Sequence, residues 1–311
     1  MVKILRQLVQ NQNKVWDKTL SDIPDKFLVK LDLKIFNELI GKKSQINTEN
    51  PDNFPLLKNE TERLKIQILI DGCGFFVIDG SLFKNFTINE KKSLHIIISK
   101  ILGDLLKQNK KEELMVEVKD LGKSMSTGAR YHHTNEGSSY HTDGSHIYSR
   151  PPNYVGLLCV NPAKIGGASK FISGYTIHNM LQQRMDLLEM LYERFYHDKK
   201  GENDVGESPA QFEPIFEFVD GYLKFKYQRE LINSGHEKMN EPLSEKQIEA
   251  LDFLDKILKT ENIVVTYELK TGDFMFSNNS WLIHDRTSFE DYEDENLKRT
   301  LVRTWIRERG N

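Results

Sequence analysis

The order of the predicted elements constrains the fold of this chain more than any other feature. Helical patterns dominate its first third, and short strand patterns separated by turn residues dominate the remainder. The strand candidates are ELMVEVKD, NYVGLLCVN, ASKFIS, NIVVTYEL, DFMFSNN and KRTLVRTWI. Because strands and helices do not alternate as parallel βαβ units, the pattern argues against a doubly wound fold. It predicts an α+β protein with a mainly β core, a barrel-like double sheet decorated with helices.

Helices are predicted at three places. The clearest is TINEKKSLHIIISKILGDLLKQ, where Thr87 and Glu90 form a capping-box pattern ahead of an apolar stripe. Two others are predicted at about 175–197 and 244–259. The intervening strand signals include Phe75–Asp79, which follows a glycine break.

The segment between residues 198 and 211 contains KKGENDVGESPAQ, a polar, glycine-containing run with few apolar residues. Its composition predicts a mobile lid or a disordered insert. Just after it, Asp220-Gly221 separates two alternating runs, which is a strong hairpin signal.

Composition limits the class of protein. The 311 residues are 38% hydrophobic and 29% charged, which fits a globular protein with a substantial core. A net charge of −3, without a basic stripe, argues against nucleic acid as partner or substrate. No apolar run reaches about 18 residues and no signal-peptide core is present, so no membrane span is expected and the cytoplasm is the predicted location. Cys73 and Cys159 lie in apolar runs and are predicted to be buried free thiols.

Two regions are predicted along the chain. Residues 1–60 read as peripheral helices and loops packed on the core, with NTENPDNFP as a polar connector. Residues 61–311 carry the strand-rich part, and together the two regions are expected to form one domain.

The stretch YHTDG suggests a metal site. On a strand, residues i and i+2 point to the same side, so His141 and Asp143 can face a common point. The best third ligand is His284, in GDFMFSNNSWLIHDRTSF. Two histidines and one carboxylate on one face of an octahedron leave three positions open, which suits non-haem Fe(II).

An isolated H-x-D pair also occurs by chance, so the surrounding pattern matters. The other histidines of this region, His132, His133, His146 and His178, are explained equally well as surface residues or as core residues with satisfied hydrogen bonds.

From about Ser124 to Trp305 the sequence resembles the taurine dioxygenase and clavaminate synthase-like branch of Fe(II)/2-oxoglutarate oxygenases. Four segments match in order: YHTDG, NPAKIGGASKFIS, GDFMFSNNSWLIHDRTSF and LKRTLVRTWI. They resemble, respectively, the H-x-D/E motif, the Gly-Gly-x-Thr/Ser strand, the distal histidine segment and the closing arginine strand of that family. Residues 1–60 take no part in this resemblance.

The resemblance implies a double-stranded β-helix, a jelly-roll barrel with the metal at its mouth. It implies that His141, Asp143 and His284 are iron ligands and that 2-oxoglutarate and O2 are co-substrates. It further implies hydroxylation of a C–H bond with release of succinate and CO2.

The co-substrate 2-oxoglutarate needs a cation for its distal carboxylate, and arginine can bind a carboxylate through two parallel hydrogen bonds. Arg299 and Arg303 are four residues apart on one strand, so both should face the same side. The resemblance implies that Arg299 and Ser169 bind 2-oxoglutarate. Arg303 could support the same carboxylate or hold an anionic group of the substrate.

Three further residues are candidates for substrate binding. Arg286 lies two residues beyond the iron histidine, although an ion pair that braces its loop explains it equally well. Tyr227 and Arg229 follow the predicted hairpin, in a region that often lines the pocket of similar enzymes.

The substrate is expected to be a small amino-acid-like or anionic molecule, because several arginines lie near the predicted mouth. Desaturation, epimerisation and cyclisation share the same cofactors and stay open as alternatives. A non-catalytic jelly-roll module and a zinc or manganese enzyme are also alternatives. The sequence leaves the oligomeric state open.

Overall fold

The computed structural model describes residues 3–120, 122, 135, 137 and 139–310. Its strands are, in chain order, β1 (Leu28–Val29), β2 (Phe75–Ile78), β3 (Asp104–Leu105), β4 (Met115–Val118), β5 (Tyr154–Asn161), β6 (Ile165–Gly166), β7 (Ser169–Ser173), β8 (Arg194–Asp198), β9 (Ala210–Pro214), β10 (Phe216–Val219), β11 (Tyr222–Phe225), β12 (Val265–Tyr267), β13 (Phe274–Asn278), β14 (Leu282–Arg286), β15 (Phe289–Glu290) and β16 (Thr300–Arg307).

The helices are α1 (Leu33–Gly41), α2 (Pro55–Leu64), α3 (Ile88–Leu102), α4 (Gly174–Leu181), α5 (Met185–Leu191), α6 (Arg229–Met239) and α7 (Glu245–Leu258). The chain is thus a mixed fold of helices and strands. The predicted capping box at the start of α3 is confirmed, since Thr87 and Glu90 exchange both hydrogen bonds. No helix of the described residues is long and apolar enough to cross a membrane.

A larger and a smaller sheet form the centre of the molecule. The larger sheet has the order β1-β2-β13-β5-β16-β3, with β4 also paired to β16, and the smaller has the order β12-β7-β14. Phe75 of β2 stacks on Phe171 of β7 with ring centroids 4.7 Å apart, so the two sheets face each other across an apolar layer. Such layers of interdigitating side chains hold two sheets together.

The first 60 residues pack against this core. Leu28 and Val29 form a parallel edge strand beside β2, and Trp16 and Phe27 join the buried cluster that contains Phe75. The indole of Trp16 also donates a hydrogen bond to the Cys73 carbonyl at 3.1 Å. Cys73 and Cys159 are buried free thiols, as predicted.

The prediction of one helix over 175–197 is wrong in its second part. The helical segment ends with α5 at Leu191, and Arg194–Asp198 form strand β8, which pairs with β9. Phe195 and His197 alternate with more exposed neighbours and are fully buried, a period-two pattern that belongs to a strand. The polar insert is therefore the loop between two strands, and its predicted mobility stays a prediction. The hairpin at Asp220-Gly221 is confirmed by the pairing of β10 with β11.

Gly156, in the middle of β5, illustrates how tightly the larger sheet is packed. A Cβ at this position would lie 2.6 Å from Phe276 Cε1, 2.6 Å from Thr304 Oγ1 and 2.9 Å from His95 Cε1. We expect Gly156→Ala to lower the free energy of unfolding by about 1–3 kcal/mol, because overpacked cores must shift their neighbours. Urea-induced unfolding followed by circular dichroism measures the change.

Gly41→Ala is the control for this substitution. A Cβ at Gly41, at the end of α1, would meet nothing within 4 Å. The control should be neutral or stabilising by up to about 1 kcal/mol. Equal stability of the two variants would contradict the packing argument.

Candidate metal centre

Two histidines that are far apart in sequence are neighbours in the structure. The amide of His141 donates to the carbonyl of His284 at 3.0 Å, and the reciprocal bond is 3.1 Å long. This short antiparallel bridge connects residue 141 to β14 of the smaller sheet. The two imidazole centroids lie 4.5 Å apart. The backbone pairing therefore positions both rings at the same point.

Asp143 completes the cluster. Its Oδ1 lies 3.5 Å from His141 Nε2 and 3.8 Å from His284 Nε2. Each of the three residues offers one possible ligand atom, and these three atoms lie within 4.8 Å of one another. A two-histidine, one-carboxylate set with these separations fits an ion of the Fe(II) type, as the sequence predicted.

Hydrogen bonds outside the cluster fix these side chains. His141 Nδ1 lies 2.7 Å from the Ser139 carbonyl, so donation by this nitrogen leaves Nε2 with a lone pair for a metal. The Asn279 side chain accepts from the Asp143 amide at 2.8 Å and donates to its carbonyl at 3.0 Å. A ligating side chain needs such outer support to keep its orientation.

Electrostatics keep two of the three donors, Asp143 and His284, in the forms that bind metal. Burial alone would raise the pKa of Asp143, but Arg303 and the two imidazoles outweigh it and hold that pKa well below its usual value. Burial, together with the neighbouring His141, lowers the pKa of His284 to about 4, so this ring is neutral near pH 7. Burial alone would lower the pKa of His141, but the hydrogen bond to the Asp143 carboxylate and its charge outweigh burial and raise this pKa.

A cavity of about 150 Å³ opens beside the three residues, between the two sheets. Its wall includes residues from β5, β13 and β16 of the larger sheet and from β7 and β14 of the smaller one. Apart from the cluster itself, its polar and charged lining residues are Gln108, Thr142, His146, Ser169, Lys200, Gln228, Ser277, Asp285, Arg286, Arg299 and Arg303.

Arg299 is a buried cation whose guanidinium forms no ion pair with any residue that the structure describes. Its side chain is 3% exposed, and its Nη1 has no hydrogen-bond partner among the described residues. The guanidinium makes one long contact, from Nη2 to the Gly167 carbonyl at 3.4 Å. Burial, with repulsion from Arg286, lowers its pKa to about 10, so it is still charged near pH 7. A buried unpaired cation is costly, and an anionic ligand would satisfy it.

The Gly-Gly pair before Ser169 makes room for this arginine. Gly167 has a φ of +72°, and a Cβ there would lie 2.9 Å from Arg299 Nε. Ser169 follows on β7, lines the same cavity and is paired in register with Arg286 of β14. The donor groups at this end of the cavity fit a carboxylate such as the distal one of 2-oxoglutarate.

Two more predicted arginines lie at the cavity. Arg286 packs on the Phe289 ring at 4.8 Å, and Arg299 packs on the same ring at 5.1 Å. Arg303 donates from Nη1 to Asp143 Oδ2 at 3.2 Å. Asp285, a third charged residue of the lining, is paired with Lys170 at 2.7 Å.

Tyr227 and Arg229, predicted to contact substrate, are not among the residues that line the cavity. The Tyr227 hydroxyl is bound to Asp255, and the guanidinium of Arg229 forms ion pairs with Asp255 at 2.7 Å and Asp252 at 2.8 Å. Gln228, the residue between them, lines the cavity instead. Contact of Tyr227 and Arg229 with the substrate stays a prediction.

The other histidines divide into three groups. His178 is a buried core residue whose Nε2 lies 2.9 Å from the Tyr192 hydroxyl. His146 lines the cavity and packs edge-on against Trp305. His132 and His133 lie outside the described residues.

The donor set, the cavity and the unpaired arginine together define the class of a non-haem iron oxygenase that uses a dicarboxylate co-substrate. The family model described as "Taurine catabolism dioxygenase TauD, TfdA family" matches residues 38–305. The chain belongs to this family and is a 2-oxoglutarate-dependent, non-haem iron oxygenase, with Fe(II) and 2-oxoglutarate as cofactors. The match begins well before residue 61, so the part of the chain that shares the family pattern is longer than the motifs suggested.

Characterised relatives and solved structures agree with this assignment. FR-33289 synthase of Streptomyces rubellomurinus is 27% identical over 98% of this chain and 92% of its own length. The taurine hydroxylase-like protein SAT17 of Stachybotrys chartarum is 32% identical over 53% of this chain and 40% of its own length. An asparagine oxygenase solved with Fe(II), 2S,3S-3-hydroxyasparagine and succinate superposes with a TM-score of 0.70, at 15% identity over 90% of this chain and 93% of its own. The oxygenase OrfP, solved with Fe and alpha-ketoglutaric acid, gives a TM-score of 0.61 at 13% identity over 90% of this chain and 94% of its own.

Proposed function

We propose that this enzyme hydroxylates a C–H bond of a small amino-acid-like or anionic molecule. The reaction would consume O2 and 2-oxoglutarate and release succinate and CO2. The observation that carries the proposal is the convergence of His141, Asp143 and His284 in the same cavity as the unpaired cation of Arg299.

The three converging residues are the proposed iron ligands. Two of the donor side chains stand on residues joined by a backbone bridge, and the third is a carboxylate two residues beyond His141. Arg299 and Ser169 are the proposed partners of the distal carboxylate of 2-oxoglutarate. This assignment is supported by the burial of both residues and by their shared position on the cavity wall.

When bound, Fe(II) and 2-oxoglutarate supply the oxidative chemistry by coupling decarboxylation to the transfer of one oxygen atom to a C–H bond. The protein holds the co-substrate and orients the substrate. The apolar side chains of Val155, Leu157, Phe171, Met275 and Leu301 line the cavity and keep bulk water from its interior.

We infer that the two facing sheets are the halves of a double-stranded β-helix with the metal site between them. The antiparallel pairing of every strand in the two sheets except the edge strand β1, the stacking of Phe75 on Phe171 and the superposition on oxygenase structures support this fold. Residues 1–60 would be a peripheral layer on the 61–311 core within a single domain, because Trp16, Phe27 and Val29 belong to its buried clusters.

The substrate class is inferred from the charged side chains of the cavity wall, where Lys200, Arg286, Arg299 and Arg303 outnumber Asp143 and Asp285. Arg303 is paired with Asp143, Asp285 with Lys170, and Arg299 is assigned to 2-oxoglutarate. Lys200 and Arg286 add further cations to the wall, and Gln228 adds an amide. An excess of cations favours a substrate with at least one anionic group. Asparagine oxygenase and OrfP, solved with hydroxylated amino acids, support an amino-acid-like substrate.

The test of the function is a panel of free amino acids, their conjugates and small sulfonates, with the Fe(II)-loaded enzyme in the presence of O2. A substrate should stimulate succinate formation above the basal rate, and its product should gain one oxygen atom by mass spectrometry. A product two hydrogens lighter, or a stereoisomer of unchanged mass, would favour the alternative outcomes of desaturation, cyclisation or epimerisation. Failure of the iron-loaded enzyme to bind 2-oxoglutarate would contradict the proposal.

We propose that Lys200, a residue of the cavity wall, contacts the anionic group of the substrate. It lies at the start of the loop between β8 and β9, where Asp198 accepts hydrogen bonds from the Lys200 amide at 2.7 Å and from Lys238 Nζ at 2.7 Å. We expect Lys200→Gln to raise KM for the best substrate of the panel by roughly tenfold or more, because a hydrogen bond to a charged group is worth about 1.5–3 kcal/mol. Steady-state kinetics at saturating 2-oxoglutarate measure this.

Lys199→Gln is the matched control. The ammonium of Lys199 pairs with Glu207 at 3.1 Å and is not part of the cavity wall. This variant should keep the wild-type KM for both substrates. If Lys200→Gln also keeps its substrate KM, the anion is held elsewhere and the proposed role of Lys200 is wrong.

A further inference from the structure

The two oxygens of the Asp143 carboxylate have different surroundings. Oδ1 faces the two imidazoles, at 3.5 Å from His141 Nε2 and 3.8 Å from His284 Nε2. Oδ2 accepts a hydrogen bond from the indole Nε1 of Trp305 at 2.9 Å. Arg303 Nη1 lies 3.2 Å from Oδ2 and 3.4 Å from Oδ1. The carboxylate is therefore oriented with one oxygen toward the metal position and the other toward donors.

Trp305 is fixed beside Asp143 by packing. Its side chain is 1% exposed and is contacted edge-on by His146 and Tyr148. It lies on β16 two residues after Arg303, so both side chains are on the cavity face of the strand. The Arg303 guanidinium stacks over the indole at 4.7 Å. The indole thus supports both Asp143 and the arginine that pairs with it.

Gln108 fixes the position of Arg303 through two hydrogen bonds. The Gln108 side chain accepts from Arg303 Nε at 2.9 Å and donates to the Arg303 carbonyl at 2.8 Å and to the Leu114 carbonyl at 3.0 Å. Gln108 is itself 2% exposed. With its Nε and Nη1 engaged, Arg303 is directed at the carboxylate of Asp143.

We propose that Trp305 and Arg303, supported by Gln108, are positioning residues that make Asp143 a one-oxygen ligand through Oδ1. This inference depends on the proposed iron-binding role of Asp143. A carboxylate bound through both oxygens would occupy an additional coordination position, and the co-substrate and O2 need the positions that the three protein ligands leave open. The role differs from the binding of 2-oxoglutarate or substrate that the sequence suggested for Arg303.

Trp305→Phe tests the proposal, because it keeps an aromatic ring and removes only the N–H donor. Loss of an outer hydrogen bond to a metal ligand typically costs 10–100-fold in metal affinity. We expect the Kd for Mn(II), measured anaerobically by electron paramagnetic resonance as a stand-in for Fe(II), to rise by about that factor. The visible absorption band of the anaerobic Fe(II)–2-oxoglutarate complex should also shift from its wild-type position.

Trp16→Phe is the matched control, since it also removes a buried indole hydrogen bond, to the Cys73 carbonyl, and Trp16 is not part of the cavity wall. It should lower the melting temperature and leave the Kd for Mn(II) unchanged. If Trp305→Phe does not fold, Gln108→Leu tests the other end of the same network and should raise the Kd in the same direction.

The outcomes separate this proposal from the function itself. A Trp305→Phe protein that is folded and binds Mn(II) as tightly as wild type, with an unshifted absorption band, overturns the positioning role. A wild-type protein that binds neither Mn(II) nor Fe(II) overturns instead the assignment of the three ligands.

Discussion

His141→Ala is expected to reduce succinate formation by more than about 100-fold, beyond the range caused by changes outside the ligand set. The substitution removes one of three donor atoms that lie within 4.8 Å of one another, and two remaining ligands hold an open-sided metal site poorly. The neighbouring Asp143 would keep its contacts with Arg303 and Trp305, so the fold should survive. Succinate measured by mass spectrometry gives the loss of turnover.

Thermal unfolding separates lost metal binding from lost structure. Metal at about 100 times its Kd stabilises a folded protein by about 2.7 kcal/mol, because it binds only the native state. Mn(II) should therefore raise the melting temperature of the wild type and not that of His141→Ala.

His178→Gln is the control for this experiment. His178 is a fully buried histidine outside the cavity wall, whose partner is the Tyr192 hydroxyl rather than a carboxylate. The control should keep both turnover and the response to Mn(II). A His141→Ala protein with wild-type turnover would remove the basis of the metal centre.

Part of the proposed ligand triad could be predicted from the sequence, because two of its three residues are close together in the chain. His141 and Asp143 are two residues apart in extended backbone, so their shared side follows from the period of a strand. For His284 the sequence offered a best candidate only, which the resemblance supported, since the bridge between residues 141 and 284 is a tertiary contact. The same period-two reasoning placed Arg299 and Arg303 on one face of the closing strand, and both line the cavity. The same period-two reasoning, continued two residues beyond Arg303, would also place Trp305 on this face of the strand.

Other parts of the site have no local signal. Gln108 lies between α3 and β4 and meets Arg303 only because β4 and β16 pair. Lys200 reaches the cavity from the loop after β8, a strand that lies where the sequence pattern predicts a helix through residue 197. Gln228, which stands between the predicted residues Tyr227 and Arg229, lines the cavity at the point where extended backbone passes into α6.

Arg299→Met should have two opposite effects, on ligand binding and on stability. Removing one partner of a buried, hydrogen-bonded charge pair costs about 2–5 kcal/mol, so KM for 2-oxoglutarate should rise by about 30-fold or more. Without the co-substrate, however, Arg299 is a cation at 3% exposure with an unsatisfied Nη1. Methionine fills similar space without that penalty, so the ligand-free variant should be more stable by about 1–3 kcal/mol.

Two measurements on the same protein samples examine this pair of effects. Succinate formation as a function of 2-oxoglutarate concentration gives KM, and urea unfolding in the absence of metal and co-substrate gives the stability. Arg229→Met is the control, because its guanidinium is paired with Asp252 and Asp255 outside the cavity. That variant should leave KM for 2-oxoglutarate unchanged and should lose stability rather than gain it.

A joint result is more informative than either value alone. Higher KM with lower stability would mean that Arg299 supports the fold and affects the cavity indirectly. Higher KM with higher stability is what a preformed anion site requires, since the free protein then bears the cost of a buried charge that only the ligand relieves. An unchanged KM would show that the distal carboxylate binds elsewhere, with Arg286, the other guanidinium packed on Phe289, as the next residue to substitute.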